Sequence, residues 1–165
     1  MKISRIFAVS AALLLSAPVV ALEGEQHEPE AHDWSFQGPL GTFNERELQR
    51  GFQVYQEVCA ACHSMDLMSF RNLGEAGGPF YNEDVPNPND NEVVRWIASQ
   101  YVIEDGPDDV GDMFERPGIP ADRFPAPYPN QQAARASNGG AYPPDLSVIT
   151  KARTGGPEYI RSLLL

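Results

Sequence analysis

The pentapeptide Cys59-Ala60-Ala61-Cys62-His63 constrains this chain more than anything else in it. A C-x-x-C-H run is the attachment pattern of a c-type haem. Its two thiols can form thioethers to the haem vinyl groups, and the adjacent histidine can ligate the iron. The spacing follows from geometry. A shorter spacer cannot reach, and a longer one is too slack to hold two bonds and an axial ligand on one porphyrin. These are the only two cysteines in 165 residues, so no other cysteine chemistry competes for them. C-x-x-C by itself also serves as a redox dithiol or as half of a zinc site. Zinc needs two more ligands, and the other histidines, His27 and His32, stand apart in an N-terminal stretch read as extended. A redox dithiol wants a preceding strand in a βαβ setting, and none is visible.

Residues 1–21 read as a secretory signal peptide. Lys2 and Arg5 form a positive start, Ile6 to Leu15 an apolar middle, and Val19-Val20-Ala21 a compact run before a cut expected after Ala21. The competing reading is an uncleaved N-terminal anchor, but Pro18 interrupts the apolar run. Export fits haem attachment, which takes place outside the bacterial cytoplasm. It also permits a disulfide, against which the neighbouring histidine weighs. Residues 22–165 are enough for one domain. With 15 prolines and 14 glycines that domain must be rich in turns and loops, and a large apolar cofactor supplies core that such a sequence lacks. The net charge of −11 makes nucleic acid an unfavourable partner and a basic protein a suitable one. No run of roughly 20 apolar residues follows residue 22.

Helical periodicity places a first helix after residue 42, with two capping registers, Thr42–Glu45 and Asn44–Glu47. Its apolar face is Leu48, Phe52, Tyr55 and Val58, and it is expected to run straight into Cys59. Residues 74–90 read as a loop. Asp90 or Asn91 caps a second helix, expected to reach about Glu104 and to bury Val93, Trp96, Ile97 and Tyr101. Residues 104–112 are acidic and turn-forming: a solvated loop, or a docking surface for a basic partner. Asn130 caps a short helix over 131–137. Asp145 is expected to cap another reaching Arg153, and Pro157 opens a last helix over 158–165. That helix has a start signal and no stop signal, so the chain reads as truncated.

The iron's second axial ligand is not evident. Met65 and Met68 are too near His63 in sequence to reach the opposite face. Met113 is distant enough but sits in the acidic loop, where a thioether more often fills a gap. Either the position is open or its ligand lies past Leu165.

Beyond the pentapeptide, several separated motifs stand in one order: Arg50-Gly51-Phe52 leading to Cys62-His63-Ser64-Met65; Asp105-Gly106-Pro107, Asp112-Met113-Phe114 and Arg116-Pro117-Gly118; Phe124-Pro125 and Pro127-Tyr128-Pro129-Asn130; Ala133-Ala134-Arg135-Ala136 and Asn138-Gly139; Pro143-Pro144-Asp145-Leu146-Ser147; Lys151-Ala152-Arg153; and Gly155-Gly156-Pro157-Glu158-Tyr159-Ile160. Over residues 34–165 this closely resembles the cytochrome c1 family, the haem c subunit of quinol:cytochrome c oxidoreductase (the bc1 complex). The resemblance implies an all-α, cytochrome c-like haem domain with long Pro/Gly-rich loops, incomplete at its C-terminus. It implies one covalent haem c on Cys59 and Cys62, with His63 on the iron and Arg135 beside a haem propionate. A guanidinium can hold a carboxylate through two bonds. It implies electron transfer from the Rieske iron–sulfur protein to a cytochrome c, with cytochrome b as a further partner and loop 104–112 as a docking site. Such a chain is an electron-transfer subunit and not an enzyme by itself. The family's methionine ligand and membrane anchor lie downstream, so the expected location is the periplasmic side of the bacterial inner membrane. Alone, the chain is expected to carry a five-coordinate or wrongly ligated iron. The alternatives are a soluble periplasmic carrier using Met113, a haem-based ligand-binding domain with an open sixth position, and a thiol protein without haem.

Overall fold

The computed structural model describes residues 28–165, so the expected signal peptide and His27 lie outside the described residues. The first helix, α1, spans Glu45–Glu57. Of the two capping registers the second forms: the Asn44 side chain accepts from the Glu47 N–H at 3.2 Å. Leu48 and Phe52 are half-buried and Tyr55 is buried, as the periodicity predicts, but Val58 is 65% exposed. The helix does not run unbroken into the cysteines. It stops at Glu57, and Cys59–Ala61 form a separate 3-10 turn.

A second 3-10 turn, Phe70–Gly74, carries the centre of the core. Phe70 is fully buried, with its ring 4.7 Å from that of Phe124, edge to face. Leu73, Val94, Ile97, Ala98 and Tyr55 complete the buried cluster. Helix α2 covers Glu92–Ser99 and begins on Asn91, whose side chain accepts from Val93 and Val94 N–H at 3.0 and 3.2 Å. It is shorter than expected, and its buried face is Val94, Ile97 and Ala98. Val93 and Trp96 are 47% and 65% exposed. Ile97 is buried and Tyr101 packs half-buried on the core, as expected, while Val94 and Ala98 are buried in place of Val93 and Trp96.

The missing part of that helix is a strand. β1 (Val102–Asp105) pairs antiparallel with β2 (Phe114–Pro117), Val102 opposite Pro117 and Asp105 opposite Phe114. The all-α expectation thus holds for the helices and not for residues 102–117. Three things favour the ribbon over a longer helix. Val102 and Ile103 are β-branched and lose rotamer freedom in a helix. Gly118 brings its backbone against Ala98, where an added Cβ would lie 2.6 Å from the carbonyl oxygen. Arg116 pairs with Asp105 across the ribbon and with Asp122 at 2.7 Å below it.

Helix α3 (Gln131–Ser137) starts on Asn130 as expected. Helix α4 (Gly156–Leu164) places Pro157 in its first turn. Its Glu158 accepts from the Trp34 indole N–H at 3.0 Å, which ties the segment before α1 to the last helix. Residues 145–153 do not form the expected helix; they are a chain of turns. Asp145 does accept from Ser147 N at 2.8 Å, as a cap would, but the turn it closes is not continued as a helix. Among the described residues no helix is long and apolar enough to cross a membrane.

Candidate functional site

The 59–63 segment closes one helical turn. Cys62 and His63 both donate their backbone N–H to the Cys59 carbonyl, at 3.1 and 2.9 Å. Residues three and four apart on such a turn share a face. The spacer therefore sets Cys59, Cys62 and His63 side by side. Both thiols are free and half-buried.

The turn stands between two hollows. Cys59 and His63 line a cavity of about 610 Å³. Its walls come from α1 (Val54, Tyr55), from Met65, from the 144–150 turns (Leu146, Ile149) and from α4 (Ile160, Leu163, Leu164). Cys62 lines a smaller hollow of about 260 Å³, with Tyr128, Asn130, Ala134 and Tyr142. A group bonded through both thiols would border both hollows. The donor set fits a covalent haem in kind: two free thiols and an imidazole on one short turn, Cys59 and His63 on the apolar wall and Cys62 on the neighbouring hollow.

The His63 ring is oriented by one contact. Its Nδ1 lies 2.8 Å from the Pro144 carbonyl oxygen. A carbonyl only accepts, so Nδ1 carries the proton and Nε2 keeps its lone pair for a metal. This is the usual way in which an outer partner fixes a ligating histidine's tautomer. The next residue, Asp145, holds the turn that follows. One carboxylate oxygen accepts from Ser64 Oγ at 2.9 Å and Asp66 N at 2.7 Å; the other accepts from Ser147 N at 2.8 Å. Burial works against the Asp145 charge, but these hydrogen bonds outweigh it and hold its pKa below the ordinary carboxylate range. Leu146 N also donates to the Ser64 carbonyl at 2.9 Å.

Arg135 lines neither hollow. It is exposed, donates to the Gly140 carbonyl at 3.1 Å and lies over the Tyr142 ring at 5.6 Å from the centroid. It is thus one aromatic ring away from the Cys62 hollow. Met113 is 54% exposed on the hairpin loop and lines neither hollow. His32 packs its ring edge-on against Trp34, away from the cysteines. Among the described residues no group of three or more His, Cys, Asp or Glu side chains converges as a metal site would require.

Sequence reasoning did not single out Pro144, Asp145, Tyr55 or Arg153 as site residues. Tyr55 lines the large cavity, and burial, reinforced by the charges of Tyr101, Asp145, Cys59 and Asp66, pushes its pKa up to about 12. Arg153 is the one cationic side chain on that cavity's wall among the described residues. Its only sequence signal was the Lys151-Ala152-Arg153 motif, read as a helix end.

A thiol pair and an oriented imidazole beside an apolar cavity are the equipment of a covalent-haem domain. Residues 34–165 match the model of the Cytochrome C1 family. The "Cytochrome b/c1" of Bradyrhizobium diazoefficiens is 58% identical over 129 residues, 78% of this chain and 18% of that protein. The "Cytochrome c1-2, heme protein, mitochondrial" of Solanum tuberosum is 47% identical over 154 residues, 92% of this chain and 55% of that one. The "Cytochrome c1" of Rhodospirillum rubrum is 44% identical over 162 residues, 94% and 56%. The chain belongs to the cytochrome c1 family. It spans about half the length of the Solanum and Rhodospirillum relatives and a smaller share of the Bradyrhizobium one.

Proposed function

We propose that this chain is the haem-bearing part of an electron-transfer subunit of the bc1 complex. It takes electrons from the Rieske iron–sulfur protein and passes them to a cytochrome c. The observation that carries this reading is the His63 Nδ1 contact with the Pro144 carbonyl at the edge of the large apolar cavity. It leaves Nε2 free beside the cavity that Cys59 also lines, with the second free thiol, Cys62, next to it in sequence. When bound, haem c supplies a one-electron couple on its iron. Cys59 and Cys62 would hold it by thioethers, His63 would ligate its iron, and the walls of Leu146, Ile149 and Ile160 would exclude water. Burial of that kind tunes the potential. Arg135 would reach a propionate across Tyr142.

The finer organisation belongs to the same proposal: a signal peptide over 1–21, a cytochrome c-like helical domain over 22–165, and a location on the periplasmic side of the inner membrane beside cytochrome b. The chain is a subunit and not an enzyme by itself. Loop 104–112 offers a basic cytochrome c an acidic face. Asp105 is occupied by Arg116, and Asp108 by the Val110 and Asp112 N–H groups. Glu104, Asp109 and Asp112 are the exposed charges that remain for a partner.

The test is haem staining of the denatured protein after expression in a host that attaches haem c. The wild type keeps its stain, and Cys59→Ser with Cys62→Ser loses it. An unstained wild type at full expression sinks the reading. Arg135→Gln is expected to keep the stain and shift the midpoint potential, whereas an unchanged potential removes Arg135 from the site.

A further inference from the structure

The Pro144-Asp145 dipeptide grips the His63 turn twice, through two different kinds of group. The Pro144 carbonyl holds the imidazole, and the Asp145 carboxylate holds the backbone and hydroxyl just after it. Ser64 is buried at 8% exposure and Asp145 is half-buried, so the Ser64–Asp145 bond is partly buried. Bonds to an ionised acceptor are the strong ones. The same carboxylate closes its own turn on Ser147 N, and Ser147 Oγ accepts from Leu67 N at 3.0 Å. One charged group thus fastens segment 63–67 to segment 144–147.

We propose that Asp145 is a positioning residue for His63: it fixes the distance and twist between the two segments, and so the angle at which the imidazole meets an iron. This rests on the haem reading above. The argument is geometric. The Pro144 carbonyl can orient the ring only if its own backbone is fixed relative to residue 63. The links doing that are the Leu146 N–H to the Ser64 carbonyl and the two bonds that Ser64 Oγ and Asp66 N donate to Asp145. Without the carboxylate, Ser64 Oγ and Asp66 N lose their acceptor, and the turn can rotate to seek water. The thioethers do not depend on it. Loss of Asp145 should therefore loosen ligation and leave attachment intact.

The test uses the haem-loaded protein purified with its complex. Asp145→Ala is compared with wild type for stained haem content, for the ferric electron paramagnetic resonance g-values, and for the fraction of five-coordinate nitrosyl haem formed under nitric oxide. The g-values report the plane of the axial ring, and the five-coordinate nitrosyl reports rupture of the iron–histidine bond. Full haem content is expected, with displaced g-values and a roughly ten-fold larger five-coordinate fraction, the scale of other outer partners of metal-bound histidine. Unchanged g-values and nitrosyl fraction overturn the proposal, even if the variant melts earlier, because a merely structural residue would behave so. If Asp145→Ala fails to accumulate, Asp145→Asn and Ser64→Ala each remove part of the clasp, and unchanged spectra in both overturn it equally. A wild type without covalent haem is a different outcome: it defeats the functional reading first.

Discussion

Tyr55 shows how one residue serves both the core and the cavity. Its ring packs 5.9 Å from Phe124 on the core side, and it lines the large cavity on the other. Burial holds its phenol neutral, with a pKa pushed up to about 12. The sign follows directly. The folded pKa is above the unfolded value of about 10, so this contribution to stability is full below pH ~10 and fades as pH rises through about 12. Tyr55→Phe removes the titrating group. Denaturant midpoints of the haem-loaded protein measured from pH 9 to 12 should fall less steeply in the variant than in wild type. Parallel curves would mean that Tyr55 ionises as freely folded as unfolded. None of this was legible from the sequence, where Tyr55 is one apolar position in a helical pattern. Its partners arrive from residues 101, 124 and 145.

Among the elements, what could be read locally was read well, and what depended on distant partners was not. Asn44, Asn91 and Asn130 each cap the helix that follows, because a short side-chain acceptor before an amphipathic run is a self-contained signal. Asp145 carries the same local signal and makes the same local bond, to Ser147 N, but no helix follows, and its other oxygen is held by Ser64 and Asp66, about eighty positions away. The end of α2 was misread for a similar reason. Tyr101, Val102 and Ile103 continue an apolar pattern, and only β2 and Gly118 convert them to a strand. Asn91 tests the local class. It is 4% exposed, caps two N–H groups, and donates its own amide to the Phe80 carbonyl at 2.8 Å. Asn91→Ala should cost about 2 kcal/mol, a typical lost cap plus a stranded buried carbonyl. Asn91→Asp keeps the cap and loses the Phe80 bond, so it should fall between. Equal midpoints for Asn91→Ala and wild type in urea would show that α2 is held by packing alone.

At the scale of the molecule, the chain is a small aromatic cluster on one side of a large hollow. Phe70 and Val94 are the only large side chains fully buried among the described residues. The large cavity of about 610 Å³ draws its wall from α1, the 144–150 turns and α4, the same elements that surround the Cys-x-x-Cys-His turn. Apolar walls facing an open hollow lose both burial and dispersion contacts. A large ligand seated on such a wall adds its own binding free energy to the fold. The pentapeptide and its cofactor class were legible because a covalent attachment needs fixed residues at fixed spacing. The cavity was not, because its wall is assembled from segments a hundred residues apart. Folding and haem attachment are therefore expected to be coupled. The Cys59→Ser, Cys62→Ser double variant, free of haem, should keep much of its far-ultraviolet circular dichroism, lose its near-ultraviolet bands, bind anilinonaphthalene sulfonate and unfold without a sharp transition. That is the behaviour of a compact state lacking specific packing. A haem-free variant that melts cooperatively at the wild-type temperature would mean that the aromatic cluster around Phe70 and Phe124 sustains the fold alone, and that the hollow closes without its ligand.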